Sequence, residues 1–148
     1  MSDNYFASVG AIVIKNNQVL LVRHTYGSAK GKLLNPGGHI CNNELPFAAV
    51  KREVLEETGV VINPVGMLSI RCDVGSWYMV ILAEYVSGEP KSDNNENDEA
   101  LFMDCDEVLN RADATDTVKT HIKLALERKP LLPIDAGKGR VLFATGNT

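Results

Sequence analysis

The sequence has few of the features that mark secreted, membrane-bound or disulfide-rich proteins. Its three cysteines, Cys41, Cys72 and Cys105, include no close pair. Neither a disulfide framework nor a cysteine-based zinc site is expected, and a reducing compartment fits best. The N-terminus has no basic segment followed by an apolar one, and no run approaches the roughly 18 apolar residues that a membrane span needs. We therefore expect a cytoplasmic protein without a membrane anchor.

Positive charge is also scarce. Lys and Arg number 15 against 19 Asp and Glu, which gives a formal net charge of −4. Extended binding of nucleic acid or of an anionic membrane is not expected, since both require a basic surface. An anionic ligand would need a cation between itself and this protein. The 148 residues, 45% hydrophobic and 23% charged, otherwise have the composition of one globular domain.

The hydrophobic pattern predicts alternating strands and helices. Two β-branched runs, 9–14 and 19–22, flank a polar turn and predict a β-hairpin. Pro46 suits the first turn of a helix and Gly59 a left-handed helix end. The polar segment 91–99 predicts an exposed loop. Further strands are predicted at 33–34, 60–70, 77–86 and 100–103, and helices at 45–58 and 116–128.

The predicted helix 45–58 places Glu53, Glu56 and Glu57 on one face. Like charges at this spacing repel one another, and a divalent cation is the natural compensation. Carboxylate oxygens are ligands that Mg²⁺ and Mn²⁺ prefer. Arg52 is placed to pair with a neighbouring carboxylate and to hold the cluster in one arrangement. Alone, three such glutamates are more often a solvated acidic face, so the surrounding residues decide the interpretation.

Those surrounding residues form a long pattern with fixed spacing. Gly38 is followed after five residues by Glu44 and after a further seven by Arg52-Glu53. Two aliphatic positions, Glu56-Glu57 and Gly59 complete it as far as Val60. The pattern resembles the Nudix box in every position, and the predicted elements over roughly 5–128 follow the order that is typical of that family.

The resemblance implies an α/β fold, an α/β/α sandwich with a mixed β-sheet. It also implies a pyrophosphohydrolase that cleaves a nucleoside diphosphate linked to another moiety, with Mg²⁺ or Mn²⁺ as cofactor. Glu44 is similar to the structural partner within the box. The residues that the resemblance assigns to the metal are Glu53, Glu56 and Glu57, with a backbone carbonyl of Gly37 or Gly38.

Catalysis on a pyrophosphate must overcome the negative charge of the substrate. Bridging cations would neutralise that charge and lower the pKa of the attacking water. A general base must then accept the proton, and Glu53 is the first candidate. Many relatives supply a further carboxylate from the polar loop, where Glu96, Asp98 and Glu99 lie, and Glu99 is the second candidate because it directly precedes the apolar residues 100–102. The resemblance assigns Arg52 to orienting the carboxylates and Glu57 to the catalytic set.

Substrate contacts are predicted outside the helix. Arg23 ends the second predicted strand and is similar in position to a phosphate-contacting arginine of some relatives, although a surface cation is an equal alternative. Asn35, directly before Pro36-Gly37-Gly38, is expected to line a base pocket. His39 is the histidine expected near the site. Trp77 and Tyr78 are more simply explained as sheet residues than as a stacking platform.

The favoured function is hydrolysis of a nucleoside triphosphate or another nucleoside diphosphate derivative, in the manner of a nucleotide-pool sanitising enzyme. ADP-ribose or nucleotide-sugar hydrolysis is the alternative. A non-catalytic nucleotide sensor is a further one, but a sensor has no need of so crowded an acidic helix face. Oligomeric state is open, with a homodimer among the options.

Domain organisation is predicted as a Nudix domain over 1–130 and a tail or linker over 131–148. The segment 140–148 resembles the opening strand and loop of inosine-triphosphatase-like pyrophosphatases. It is either a frayed terminus or the start of a second nucleotide-pyrophosphatase domain.

Overall fold

The computed structural model describes residues 5–127 and 129–145. In this part of the chain, strands alternate with turns and helices, as the hydrophobic pattern predicts. The elements are β1 (Ala7–Lys15), β2 (Gln18–His24), β3 (Leu33–Leu34), β4 (Gly37–His39), α1 (Pro46–Thr58), β5 (Val61–Asp73), β6 (Ser76–Ser87), β7 (Asn97–Asp104), α2 (Cys105–Leu109), α3 (Asp116–Glu127), β8 (Leu132–Gly137) and β9 (Arg140–Ala144).

Strand β1 is the centre of a mixed sheet that has seven strands within the described residues. It pairs in parallel with β6 and antiparallel with β2 and β4. Strand β5 extends the sheet beyond β6, while β2 also pairs with β3 and β7. Because β4 lies beside the start of β1, the glycines before α1 are fixed to the middle of the sheet.

Both faces of the sheet are buried, which makes the domain a sandwich. Val9, Ala11 and Val13 of β1 belong to the core cluster that includes the buried face of α1. Ile12, with its side chain on the opposite face, belongs to the cluster that includes Ile122 of α3. Alternate residues of a strand point to opposite faces, so a strand buried on both sides reads as a continuous apolar run. The predicted α/β sandwich with a mixed sheet is confirmed.

Helix α1 begins and ends where the sequence predicts. Pro46 occupies the first turn, and Gly59 has a φ of 75° and donates its N–H to the Leu55 carbonyl at 2.9 Å. This left-handed conformation favours glycine because it lacks a Cβ. Val50 and Val54 are fully buried on the side of α1 that faces the sheet. The last turns of α1 also border a cavity, and Glu53 and Glu57 line it.

Three features that precede α3 were not predicted. Helix α2 has only five residues and is capped by Asp104, whose side chain accepts the N–H groups of Asp106 and Glu107. Strand β7 starts at Asn97 inside the segment that the sequence predicts as an exposed loop, and Asn97 is 1% exposed. Strand β4 is short and glycine-rich, so periodicity does not reveal it.

The C-terminal segment is a β-hairpin where the sequence predicts a tail or linker. Leu131 exchanges backbone hydrogen bonds with Met67 of β5, both at 2.8 Å, and the Phe143 ring contacts the Phe47 ring at 5.4 Å. The sequence does not predict these two strands, because β8 is short and exposed along its whole length and so lacks a buried apolar face. Residues 146–148 of the inosine-triphosphatase-like segment lie outside the described residues, and a second domain stays a prediction.

No helix in the described part of the chain combines the length and apolar character required to cross a membrane.

Candidate active site

A cavity of about 490 Å³ opens beside the start of the central strand β1. Its walls come from β4, the last turns of α1, the loop after β2, the loop before β7 and the N-terminal end of α3. One part of the lining is acidic and the other carries amide, hydroxyl and guanidinium groups. The acidic part is lined by Gly37, Gly38, Glu53, Glu57 and Glu96.

The Glu53 carboxylate lies directly against the backbone of Gly38. A Cβ added to Gly38 would overlap the carboxylate carbon and both carboxylate oxygens of Glu53. Only glycine at this position lets the carboxylate approach the chain so closely. The sequence predicts both residues as metal contacts, and the structure brings them together.

Glu57 is the most deeply buried carboxylate of the site, with 4% of its surface exposed. Burial, reinforced by the negative charges of Glu53 and Glu96, raises the pKa of Glu57 to about 8, while the N–H of Gly37 acts in the opposite direction. Burial also raises the pKa of Glu53, although the adjacent Arg52 partly offsets that effect. Two carboxylates are thus held where negative charge is costly unless a cation accompanies it.

Arg52 holds the acidic face of α1 in place, as the sequence predicts. Its Nε and Nη2 donate to both oxygens of Glu44 at 2.7 and 2.9 Å, which is a bidentate pair. Its Nη1 donates to Glu53 at 2.9 Å and to Glu56 at 3.3 Å. The guanidinium lowers the pKa of Glu44 to about 2. Glu44 therefore stays ionised and fixes Arg52, and Arg52 in turn orients Glu53.

Glu56 lies at the margin of this arrangement. Its side chain is 58% exposed and contacts Arg52, and it is not among the residues that line the cavity. The sequence predicts Glu56 as a metal ligand together with Glu53 and Glu57. In the structure only the latter two line the cavity, while Glu56 lies on the same helix face, nearer solvent.

Arg23 and Glu99 pair with each other and line no part of the cavity. They are direct cross-strand partners in β2 and β7, and the Arg23 Nε donates to Glu99 at 2.9 Å. Arg23 also donates to Asp113 at 3.1 Å and to the Gly31 carbonyl at 2.8 Å. The geometry gives Arg23 the role of tying the loop after β2 to the sheet. The carboxylate that the loop before β7 brings to the cavity is Glu96, where the sequence favours Glu99.

The other part of the cavity is lined by amide, hydroxyl and guanidinium groups. Asn35 is 4% exposed and donates from Nδ2 to the Tyr78 hydroxyl at 3.0 Å. The Arg71 guanidinium lies 5.2 Å from the centre of the Tyr78 ring, a cation–π contact.

His39, predicted near the site, lines the cavity as well, and its ring stacks on the Tyr5 ring with 4.5 Å between the ring centres. Trp77 is 42% exposed and contacts Phe6, which agrees with its interpretation as a sheet residue.

The chemistry of the acidic part fits a divalent cation. Carboxylate and backbone carbonyl oxygens are the ligands that hard cations take, and Glu53, Glu57 and the adjacent Gly38 supply both kinds. The raised pKa of Glu57 shows a buried carboxylate whose charge lacks compensation. Within residues 5–127 and 129–145, no three His, Cys, Asp or Glu side chains are already gathered close enough to enclose an ion.

Sequence reasoning missed Arg71 and Asn97 altogether and ranked Glu96 behind Glu99. Arg71 lies in an extended, exposed strand, where nothing in the local pattern distinguishes it from a surface cation. Tyr78 was identifiable as a strand aromatic only. In the sequence, Asn97 is one of several polar residues in the segment 91–99. Its burial results from its contact with the end of α1, which the local sequence does not reveal.

Comparison with known proteins agrees with this geometry. Residues 4–124 match the NUDIX domain. An 8-oxo-dGDP phosphatase of Danio rerio is 30% identical over 95 residues, covering 63% of this chain and 29% of that protein. An ADP-ribose pyrophosphatase of Methanocaldococcus jannaschii is 30% identical over 105 residues, covering 66% of this chain and 60% of that protein. The chain therefore spans less than two thirds of the length of either relative.

Among solved structures, a NUDIX hydrolase from Nitrosomonas europaea superposes with a TM-score of 0.71 at 27% identity. The match covers 85% of this chain and 91% of that one. The shared architecture includes the mixed sheet and the helices on its faces. Because the match to the NUDIX domain extends over residues 4–124, well over half of the sequence, the chain belongs to the Nudix family.

Proposed function

We propose that this protein is a divalent-cation-dependent pyrophosphohydrolase that acts on a nucleoside triphosphate or another nucleoside diphosphate derivative. The observation that carries the proposal is the meeting of Glu53, Glu57 and the Gly38 backbone in one cavity, with Arg52 orienting the first of them. Members of this family generally use divalent cations. Mg²⁺ or Mn²⁺, bound here, would neutralise the phosphate charge and make a water molecule more acidic.

The residues of the chain divide the remaining work. Glu53 and Glu57 would hold the cation, and the backbone of Gly38, against which the Glu53 carboxylate lies, would supply a further oxygen ligand. Glu53 is our candidate for the general base, because its carboxylate lines the cavity and the hydrogen bond from Arg52 fixes its orientation. Glu96 replaces Glu99 as the second candidate, since it lines the cavity.

The nucleoside is proposed to occupy the other part of the cavity. The Asn35 amide and the Tyr78 hydroxyl are the kinds of group that bind the edge of a base, and the extended chain from Asn35 to Gly38 spans roughly 10 Å. That length matches the separation of a base from its phosphates. Hydrolysis of an oxidised nucleoside diphosphate draws support from the Danio rerio relative, and hydrolysis of ADP-ribose from the archaeal one.

A turnover assay with Mg²⁺ or Mn²⁺ tests this proposal. Canonical and oxidised nucleoside di- and triphosphates, ADP-ribose and a nucleotide sugar are compared, and release of phosphate, pyrophosphate or nucleoside monophosphate is measured. We expect turnover of at least one of them and a loss of roughly two orders of magnitude in Glu57→Gln. Nucleotide binding without turnover by the wild-type protein would favour the sensing module instead.

A further inference from the structure

Asn97, the first residue of β7, ties the end of the acidic helix to the loop that enters the cavity. Its side chain is buried, with 1% of the residue exposed, and it donates from Nδ2 to the backbone carbonyl of Glu57 at 3.1 Å. The last carbonyls of a helix have no donor within the helix, so the loop must supply one. The Lys91 N–H does the same for the Thr58 carbonyl at 2.9 Å. The loop before β7 thus caps α1 at two consecutive carbonyls.

The rest of that loop is folded around the same amide. Asn97 accepts the N–H of Asp93 at its Oδ1, 3.3 Å away. The Asp93 carboxylate accepts the backbone N–H groups of Asn95 and Asn97 at 2.9 and 3.0 Å. The Ser92 hydroxyl donates to the Asn97 carbonyl at 2.9 Å. These hydrogen bonds join residues 92–97 to one another. Within this stretch, the Asn97 side chain makes the hydrogen bond to α1.

Glu96 lies inside this folded segment. Its backbone carbonyl accepts both the N–H and the hydroxyl of Thr25, at 3.1 and 3.2 Å, so the loop after β2 is tied to the same point. Its side chain lines the cavity with Glu53 and Glu57. Glu96 is therefore held from two sides, by Thr25 of the loop after β2 and by the buried neighbour that follows it, which alone connects it to α1 within residues 92–97.

We propose that Asn97 is a positioning residue that keeps the Glu96 carboxylate at the cavity beside Glu53 and Glu57, so that the affinity of the site for a divalent cation depends on a buried amide that does not itself touch the ion. The inference rests on the proposed function. Without the amide, the Glu57 carbonyl loses its donor and residues 92–97 lose their anchor on α1. Glu96 then spends less time facing the other carboxylates, while their own positions, set by α1 and Arg52, persist.

Direct Mn²⁺ binding to the nucleotide-free protein, measured by calorimetry, tests the proposal in a double-mutant cycle. Asn97→Ala is expected to weaken Mn²⁺ binding about tenfold, as loss of a supporting hydrogen bond around a metal site commonly does. In a Glu96→Gln background the same change should have little further effect, because Asn97 acts through Glu96. Asn95→Ala is the matched control, since Asn95 is exposed in the same loop. This variant should bind Mn²⁺ as the wild type does. Equal weakening by Asn97→Ala in both backgrounds would overturn the proposal.

A second variant guards against a loss of folding. Asn97→Asp keeps the size of the side chain and the Oδ1 acceptor, but replaces the donor to the Glu57 carbonyl by another acceptor. If the circular dichroism spectrum of Asn97→Ala is not that of a folded protein, the cycle is run with Asn97→Asp. Weaker Mn²⁺ binding only when Glu96 is present would again support the proposal, and equal weakening in both backgrounds would overturn it. Absence of Mn²⁺ binding by the wild type would refute the proposed function and this inference together. Wild-type binding without coupling between Asn97 and Glu96 would refute only the inference.

Discussion

The Glu57 carboxyl group links the stability of the metal-free protein to pH. Its pKa is raised from 4.5 to about 8 in the folded chain, mainly by burial. Between those two values the folded state binds a proton that the unfolded state releases, so stability falls as pH rises through this window. Above the folded pKa the loss is complete, and below the unfolded pKa there is none.

Glu57→Gln should therefore stabilise the metal-free protein in a pH-dependent way. The gain is expected to be small at pH 5 and to grow to at most about 2–4 kcal/mol near pH 8.5, because the amide is never charged. Urea unfolding in EDTA at the two pH values measures it. A gain of the same size at both would mean that the carboxylate is not destabilised by its surroundings.

Glu96 and Glu99 carry the same charge three residues apart but occupy different surroundings. Glu96 lines the cavity, whereas the Glu99 side chain is 46% exposed and pairs with Arg23 across the sheet. Glu96→Gln is expected to lower turnover about tenfold or more, and Glu99→Gln to change it little, because only Glu96 lines the cavity. Steady-state kinetics of both variants decide the matter.

Since both changes remove one negative charge near the site, a general effect on substrate approach would alter the two variants alike and fade with added salt. A larger loss in Glu99→Gln than in Glu96→Gln would restore the assignment that the sequence favours. Sequence alone could not choose, because β7 begins earlier than its apolar residues indicate and its register with β2 shifts between Arg23 and His24.

At the level of elements, the sequence predicts what local periodicity controls. Strands β1 and β2, with their polar turn, and helix α1, with Pro46 and Gly59 at its ends, follow from hydrophobic spacing and capping residues. The part of the Nudix box that lies in α1 also identifies the acidic face of this helix. Short elements such as α2 and β4 carry too few residues for a period to be visible. The part of the cavity with Arg71 and Tyr78 depends on how β5 and β6 lie relative to the segment between β3 and β4, where Asn35 is found.

The β8–β9 hairpin is the element that the sequence missed most completely, and its contact with α1 is testable. Phe143 packs against Phe47 of α1 and is partly buried in the core cluster beneath that helix. Phe143→Ala is expected to lower the free energy of unfolding by about 1–3 kcal/mol and to leave turnover unchanged, since the ring lies outside the cavity. Leu142→Ala is the control, because Leu142 is 55% exposed. Equal melting temperatures for wild type and Phe143→Ala would show that the hairpin does not stabilise this domain.

At the scale of the whole molecule, the proposed function requires an acidic protein to attract an anionic substrate. The chain has a net charge of −4, and the carboxylates of Glu53, Glu57 and Glu96 line the cavity where phosphates are proposed to lie. Two explanations of cation dependence are then distinct. A divalent ion held between carboxylates and phosphates acts at short range, whereas general screening by salt weakens repulsion between all exposed charges.

We expect EDTA to abolish turnover and Mg²⁺ or Mn²⁺ in the millimolar range to restore it. Potassium chloride at about 0.5 M should not replace them, because monovalent ions shorten the Debye length to about 4–5 Å but do not bridge a carboxylate and a phosphate. Initial rates with and without EDTA, at low and high salt, make the comparison, and Lys138→Gln on the remote β8–β9 turn controls for net charge. Rates that recover with potassium chloride alone would assign the glutamates an electrostatic influence on substrate approach. A requirement for the divalent ion at every salt concentration would instead show that the acidic helix face needs a cation at the site itself, as the repulsion among its carboxylates predicts.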